Sequence, residues 1–587
     1  MTAISEITTT TTSYTLNVAL EDQKDIEMSP TALVEAKPRR TTTDCRTCPC
    51  HRRLRIPTVY KQEMVHILKL AGPVMVSQMM VFLISFVSTI FCGHMGKTEL
   101  AGVALSIAVI NITGISIGTG LASACDTLIS QTYGSGNLRR VGVILQRGIL
   151  ILLLACFPCW ALLYNTEPIL LAVRQNAAVA SLSQFYVQIF MPALPAAFMY
   201  QLQGRYLQNQ GIIWPQVVTG VIGNILNAII NYVFLFILDM GVGGSAVANV
   251  ISQYSLALSL FIYIKFRGLH TATWGGWSME CLQEWGPFLK LAFPSMLMLC
   301  LEWWMFEVGG FLAGIISEVE LGAQSIIYEL ATLAYMFPLG FSVAASVRVG
   351  NALGAGNIEQ AKLTSKVSVV CAIIVSIFVG GSLGIPKDVV AYIFTMEQDI
   401  VQRVSDVMVI YSFFHLCDAI ACVTGGIIRG AGKQAVGALC NLVGYYFIGF
   451  PIGVSLMFAA GMGIVGLWAG LLLCVIIQAM FFITYLSKLN WKKASNEALV
   501  RAGIQVVERK DETENEDGGP DAPQCGVSLE AEETAEAQDT HVACATTVGV
   551  VLSGRQLVLR RGLALLFMVS ILLVAVFLKK LLVDLLR

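Results

Sequence analysis

The sequence predicts an all-α polytopic membrane protein: two six-helix lobes related by a parallel repeat around a central cleft, with a thirteenth span near the C-terminus. Three observations predict it. The 587-residue chain is 56% hydrophobic and only 13% charged, with a mean hydropathy of +0.70, about half the charge of an ordinary soluble domain. Apolar runs of about 20 residues, enough to cross a ~30 Å hydrocarbon core, recur from residue 64 onward. The chain also matches itself at an offset of 220–221 residues. A formal net charge of −1 leaves no basic footprint for nucleic acid. The 52 glycines lack a period and suit close helix packing, and the 16 scattered cysteines argue against a disulfide framework.

Residues 1–63 are a polar, Thr-rich tail without an apolar run, so no cleavable signal peptide is expected. Within it, Cys45, Cys48, Cys50 and His51 lack the second ligand pair of a usual zinc site. They read as a thiol cluster open to palmitoylation beside the first span. Twelve spans follow, near 66–91, 99–128, 141–163, 181–203, 213–238 and 244–265 in a first lobe (64–270). Those near 289–316, 320–346, 366–384, 401–428, 434–459 and 463–486 make a second lobe (271–487). Lys and Arg concentrate in alternate loops, at Arg139, Arg140, Arg205, Arg348, Arg429 and Lys433 among others. The opposite loops hold little beyond Lys97, Arg174 and Lys387. The positive-inside rule places the first set and the N-terminus in the cytosol. Residues 488–561, acidic through 508–539, read as a disordered cytosolic linker. The run 562–587 is an extra transmembrane helix whose direction the flanking basic residues determine only weakly, with an extracellular C-terminus expected.

The repeat is carried by four matches in order. Leu68-Lys69-Leu70-Ala71-Gly72-Pro73 recurs as Leu289-Lys290-Leu291-Ala292-Phe293-Pro294, and Glu99-Leu100 as Glu320-Leu321. Tyr133-Gly134-Ser135-Gly136-Asn137 recurs as Leu353-Gly354-Ala355-Gly356-Asn357, and Gly241-Val242-Gly243 as Gly461-Met462-Gly463. Six spans per unit is an even number, so both units enter the membrane from the same side. That is a parallel repeat, with a site expected between the halves near the midplane. Because this repeat is complete by residue 490, the two-lobe core is expected to remain whole in a chain ending after Asn496.

A carboxylate mid-span costs several kcal/mol unless it faces a cavity or a partner, which makes each one a functional candidate. Glu302 and Glu307 lie on the seventh span, Glu329 on the eighth and Asp418 on the tenth; their repeat counterparts are Val81, Phe86, Ala108 and Ala197. The fold therefore does not require acids at these places, and the acidic cluster belongs to the second lobe alone. Such groups hold either a proton or a cation, and exclusive occupancy is the physical basis of antiport. Gln78, Asn111, Trp303, Trp304, Tyr328 and Tyr335 are candidates to line the same cleft, the rings offering cation–π contacts. Asp126, beside the loop that carries Arg139 and near Arg348, reads as structural.

Three stretches are similar to the multidrug and toxin extrusion (MATE) family: Ser123-Ala124-Cys125-Asp126-Thr127-Leu128-Ile129-Ser130-Gln131-Thr132-Tyr133-Gly134, Leu301-Glu302-Trp303-Trp304, and Ser342-Val343-Ala344-Ala345-Ser346-Val347-Arg348-Val349-Gly350-Asn351. The resemblance runs from about 64 to 490, is nearest the animal branch, and implies a proton-coupled antiporter expelling organic cations across the plasma membrane. By it, Glu302, Glu307 and Glu329 match positions implicated in transport, and Asn111 a polar position of the second span. At the tenth-span position the animal members carry Glu, where this chain has Asp418.

Two transport alternatives remain at this stage, a sodium-coupled exporter and a flippase of the same superfamily, although a flippase for phosphate-linked cargo would want a cationic cleft. An enzyme is disfavoured: the sequence has no His-Glu-x-x-His motif and no nucleophile–base pairing. The expected partners are organic cations, protons and the lipid bilayer, with no nucleic acid, and neither a cofactor nor a metal is expected.

Overall fold

Long helices dominate the computed structural model, which describes residues 57–93, 97–173, 175–504 and 551–586. The first lobe comprises α1 (Thr58–Ser88), α2 (Ala101–Gly134), α3 (Leu138–Tyr164), α4 (Ala177–Gln208), α5 (Trp214–Ile237) and α6 (Gly241–Phe266). The second comprises α7 (Trp285–Ile316), α8 (Glu318–Gly354), α9 (Ile358–Gly384), α10 (Gln398–Gly430), α11 (Gln434–Ala459) and α12 (Ile464–Ser487). A further helix, α13 (Trp491–Arg501), precedes the last one, α14 (Gly554–Leu586). All thirteen apolar runs expected from sequence are helices long enough to cross a membrane. The Cys45–His51 cluster lies outside the described residues.

The repeat has a local physical cause at its clearest match. Gly136 and Gly356 take φ of +80° and +75°, the left-handed conformation that ends a helix at low cost for glycine. Asn137 and Asn357 then cap the following helices, accepting from the Arg140 and Gln360 amides. The Gly-x-Gly-Asn shared by these five-residue segments thus builds the same turn in both lobes.

Each lobe packs its own core, and the start of the first helix of each lobe crosses into the other. Ile129, Leu152, Tyr186 and Phe198 belong to the first core, which also receives Phe288 and Ala292 from the start of α7. Ile67 and Ala71, at the start of α1, pack with Phe341, Val349 and Val423 of the second lobe. Ile67 and Phe288, like Ala71 and Ala292, are repeat-related positions, so the exchange is reciprocal. The α2 and α8 ends meet in the same way. A Cβ on Gly134 would stand 2.1 Å from the Asn351 carbonyl oxygen, and one on Gly354 would stand 1.9 Å from that of Gln131. Without a hydrophobic force between helices in lipid, such backbone-to-backbone approach is what small residues supply.

These contacts gather where the basic loops lie. Thr127 Oγ1 and Gln131 Nε2 donate to the carbonyls of Arg429 and Gly430 at 2.6 and 2.9 Å. Glu63 at the start of α1, almost fully buried, accepts both Nε and a terminal nitrogen of Arg348 at 2.6 Å, together with Gln360 and Thr364. The two lobes are closed on each other at the basic end. Asp126 is structural, but its partners are Arg205 at 2.9 Å and Asn209 at 3.2 Å rather than Arg139 or Arg348.

The polar stretch expected as a linker from residue 488 begins instead with α13, whose Ala494 and Ala498 are fully buried together with Ala502 just past its end. It spans both lobes. Asn137 and Arg140 donate to the carbonyls of Ala502 and Arg501 on one side; Ser495 donates to Leu353 and Lys433 pairs with Glu497 on the other. Burial works against the Glu497 charge, but Lys433, by hydrogen bond and by charge, and then Arg501 and Lys493 outweigh it and hold this carboxyl below the usual carboxylate range. Alternation of apolar and charged residues in a short segment hid this helix from a search for long apolar runs. At its other border the stretch 488–561 also gives way early, since α14 starts at Gly554.

That last helix lies along α3. Arg561 stacks 4.2 Å over the Trp285 ring at the basic end, and Lys579 lies 4.4 Å over the Tyr164 ring at the other. The helix therefore runs parallel to α3.

Candidate functional site

Three helices of the second lobe carry the acids, and an aromatic core sets their register. Trp468 of α12 is fully buried, donates to Gln324 Oε1 at 2.8 Å, and packs edge-on against Tyr411 and Phe414 of α10 with centroids 5.5 and 5.3 Å apart. Tyr411, Phe414 and Asp418 follow i, i+3, i+7 spacing and so share one face of α10. Packing two rings against Trp468 turns Asp418 inward, and it is buried.

α7 and α8 run antiparallel through a tight turn capped by Ser317, which accepts from the Glu320 amide. Glu302 on α7 therefore faces the later part of α8, and Glu307 the earlier part. The Tyr335 hydroxyl donates to Glu302 Oε1 at 2.9 Å, and the Tyr328 hydroxyl donates to Glu307 Oε1 at 3.3 Å. Asp418 stands within electrostatic reach of Glu302, and Glu329 within reach of Glu307. The four acids thus form two tiers rather than one cluster. A deeper tier holds Glu302, Tyr335 and Asp418; the other, nearer the α7–α8 turn, holds Glu307, Tyr328 and Glu329. The seven-residue step from Tyr328 to Tyr335 sets the tiers about 10 Å apart along α8. Glu329 Oε2 is buried with no hydrogen-bond partner among the described residues.

The candidates outside the second lobe stand differently. Asn111 opens a π-helical segment, Asn111–Ile115, within α2, and such segments occur often at functional sites. Trp304 Nε1 donates to the Ile112 carbonyl of this segment at 3.1 Å, which ties α7 to the first lobe beside the acids. No hydrogen bond of the acidic residues reaches Gln78, Asn111 or Trp303 among the described residues.

Sequence reasoning missed several neighbours. His415, one turn before Asp418, is buried with neither ring nitrogen hydrogen-bonded among the described residues. Its signal was present, since a mid-span histidine is as uncommon as a mid-span acid. Arg429 was read as a loop residue. It closes α10, donates to Ser342 Oγ at 3.0 Å, and its field reaches Glu302. Tyr445 of α11 lies within reach of both Glu302 and Asp418, and the Cys422 thiol donates to the Tyr335 hydroxyl at 3.5 Å. Tyrosine and cysteine are too common on helix faces for a sequence to distinguish these two.

Two six-helix repeats closed at one end, with carboxyls held between helices of one repeat, define a membrane transporter rather than an enzyme. The MatE family model matches the chain twice, over residues 73–233 and 294–455, one match to each repeat. Multidrug and toxin extrusion protein 1 of Danio rerio is 67% identical over 557 residues, covering 92% of this chain and 94% of its own. The protein of the same name in Homo sapiens is 54% identical, with 88% and 94% covered. Among solved structures, the eukaryotic MATE transporter AtDTX14 superposes with a TM-score of 0.73 at 30% identity, over 76% of this chain and 99% of its own. The chain belongs to the multidrug and toxin extrusion family.

Proposed function

We propose that the protein is a proton-coupled antiporter that exports organic cations, among them drugs, toxins and cationic metabolites, across the plasma membrane by alternating access. The N-terminus is cytosolic and the C-terminus extracellular, which agrees with α14 running parallel to α3. The lobes 64–270 and 271–487 alternate around the cleft. The observation that carries the reading is the pair of carboxyl tiers in the second lobe, each joined to a tyrosine hydroxyl and without repeat counterparts.

An ionised tier attracts a cation; a protonated tier does not. With the basic end open to the cytosol, loss of protons readies the carboxylates for an organic cation, with Trp303, Tyr328 and Tyr335 offering ring faces and Asn111 and Gln78 the facing polar wall. With the basic end closed, external protons displace the cation and neutral carboxyls allow the return. One pH unit supplies about 1.4 kcal/mol per proton exchanged. Membrane vesicles bearing the protein test this directly: an oppositely directed proton gradient should drive accumulation of a fluorescent organic cation, and replacing sodium by choline at fixed pH should leave it unchanged. Accumulation that follows sodium and ignores the pH gradient would overturn the proton reading.

A further inference from the structure

A second polar site lies far from the acids, at the basic end. A cleft of about 1060 Å³ opens between the lobes there, where α3, α7 and α11 begin and α12 gives way to α13. Its charge is opposite to that of the transport site. Seven basic side chains and two carboxylates line it. Glu284 is shared by Arg140 and Arg147 at 3.0 and 3.2 Å, and Glu497 by Lys433 and Arg501 at 2.7 and 3.0 Å. Lys290, Lys492 and Lys493 are exposed, and no salt bridge among the described residues engages them.

Two further features favour an anion. The N-termini of α7 and α11 both border the cleft, adding the positive ends of two helix dipoles. Arg147, buried among its neighbours, keeps Nε without a hydrogen-bond partner among the described residues. The remaining lining is mixed: Gln434, Asn490 and Asn496 are polar, and Pro287, Leu291, Ala435 and Val436 form an apolar wall along the starts of α7 and α11. A soluble anion would have no use for that wall, whereas a phospholipid places phosphates beside lysines and acyl chains beside such residues. Basic pockets between transmembrane helices at the cytoplasmic border have this chemistry.

We propose that this cleft binds the headgroup of an anionic phospholipid carrying more than one phosphate, and that the bound lipid holds the basic end closed. The second part follows from the walls: Arg140 and Arg147 belong to the first lobe, and Lys433, Lys492 and Lys493 to the second or to α13. Opening the basic end separates them and dismantles the site. The lipid is therefore a ligand of one conformation, and its binding shifts the transport cycle toward it. The proposal is independent of the coupling ion.

Full-length protein in nanodiscs of phosphatidylcholine, with or without phosphatidylinositol bisphosphate, tests it. Native mass spectrometry should show bound bisphosphate lipid, and spin labels across the basic end should show the short inter-lobe distance enriched when that lipid is present. The triple variant Lys290→Gln/Lys492→Gln/Lys493→Gln should weaken binding about fivefold per lysine and abolish the distance shift. The pair Lys265→Gln/Arg267→Gln, exposed at another helix end, should change neither. Equal loss in both variants, or binding without any distance shift, would overturn the proposal. Soluble inositol phosphate or inorganic phosphate producing the same shift without the lipid would reassign the site to a soluble anion and overturn the lipid assignment.

Discussion

Asp418 shows what a single side chain can and cannot disclose. Its presence in a span marks it as a functional candidate, because an acid at membrane depth costs about 2.5–3.5 kcal/mol by insertion scales. Its partner is invisible in sequence: Glu302 lies more than a hundred residues away, and only the packing of Tyr411 and Phe414 on Trp468 turns Asp418 toward it. The four acids were legible, and their division into two tiers was not, because it depends on the antiparallel register of α7 and α8. Three predictions belong here. Glu302→Gln and Glu329→Gln should reach the membrane yet lose pH-driven exchange, measured at matched surface expression; near-normal exchange in both would remove them from the mechanism. Tyr335→Phe deletes a hydrogen bond to an acid, worth about 1.5–3 kcal/mol when the acceptor is charged, and should lower exchange by at least tenfold. Asp418→Glu keeps the charge and moves it by about one carbon–carbon bond, 1.5 Å, so it should be tolerated, whereas Asp418→Asn should lose most substrates. A competition series with small and bulky cations distinguishes charge from reach, and an Asn variant equal to wild type would make Asp418 structural.

Helices were read from hydropathy, and hydropathy finds only what faces lipid or spans it. All thirteen spans were legible for that reason. The π segment at Asn111–Ile115 was not, since its extra residue per turn leaves composition unchanged. Nor was α13, half polar, which holds its place through buried alanines and the Arg140, Lys433 and Arg501 contacts. This changes one expectation. A chain ending after Asn496 cuts α13 in half and removes Glu497 and Arg501, so truncation should spare transport only when made after Ile504. Comparing the two truncations in vesicles checks this: the longer should exchange cations and the shorter should not hold the basic end closed. Equal activity would show that α13 is dispensable. The reciprocal glycine contacts make a second test. Gly354→Val places side-chain atoms against the Gln131 carbonyl, at a site where even a Cβ meets oxygen at 1.9 Å. It should bar closure of the basic end, leaving substrate binding from the cytosolic side but no turnover.

At the scale of the molecule, the repeat is the organising fact, and it was readable because the same turn residues recur at the same spacing. What the sequence did not reveal is that the repeats exchange the starts of their first helices, Ile67 and Ala71 of α1 packing in the second lobe and Phe288 and Ala292 of α7 in the first. The exchange explains how two lobes with separate cores close tightly at one end, and Glu63 locks that end by accepting four donors. Breaking a buried pair by removing one charge costs about 3–5 kcal/mol. Glu63→Gln should therefore bias the protein toward an open basic end, read as greater labelling of a cysteine introduced there. Asymmetry is laid over this symmetric frame: the two carboxyl tiers lie in the second lobe, at positions whose repeat counterparts are not acids. The most direct measurement is cation accumulation in vesicles while the pH gradient is collapsed at constant membrane voltage. Accumulation should fall to its equilibrium level as the gradient disappears, in wild type and not in Glu302→Gln, which should start there. Accumulation that persists without a pH gradient would contradict proton exchange at the carboxyl tiers.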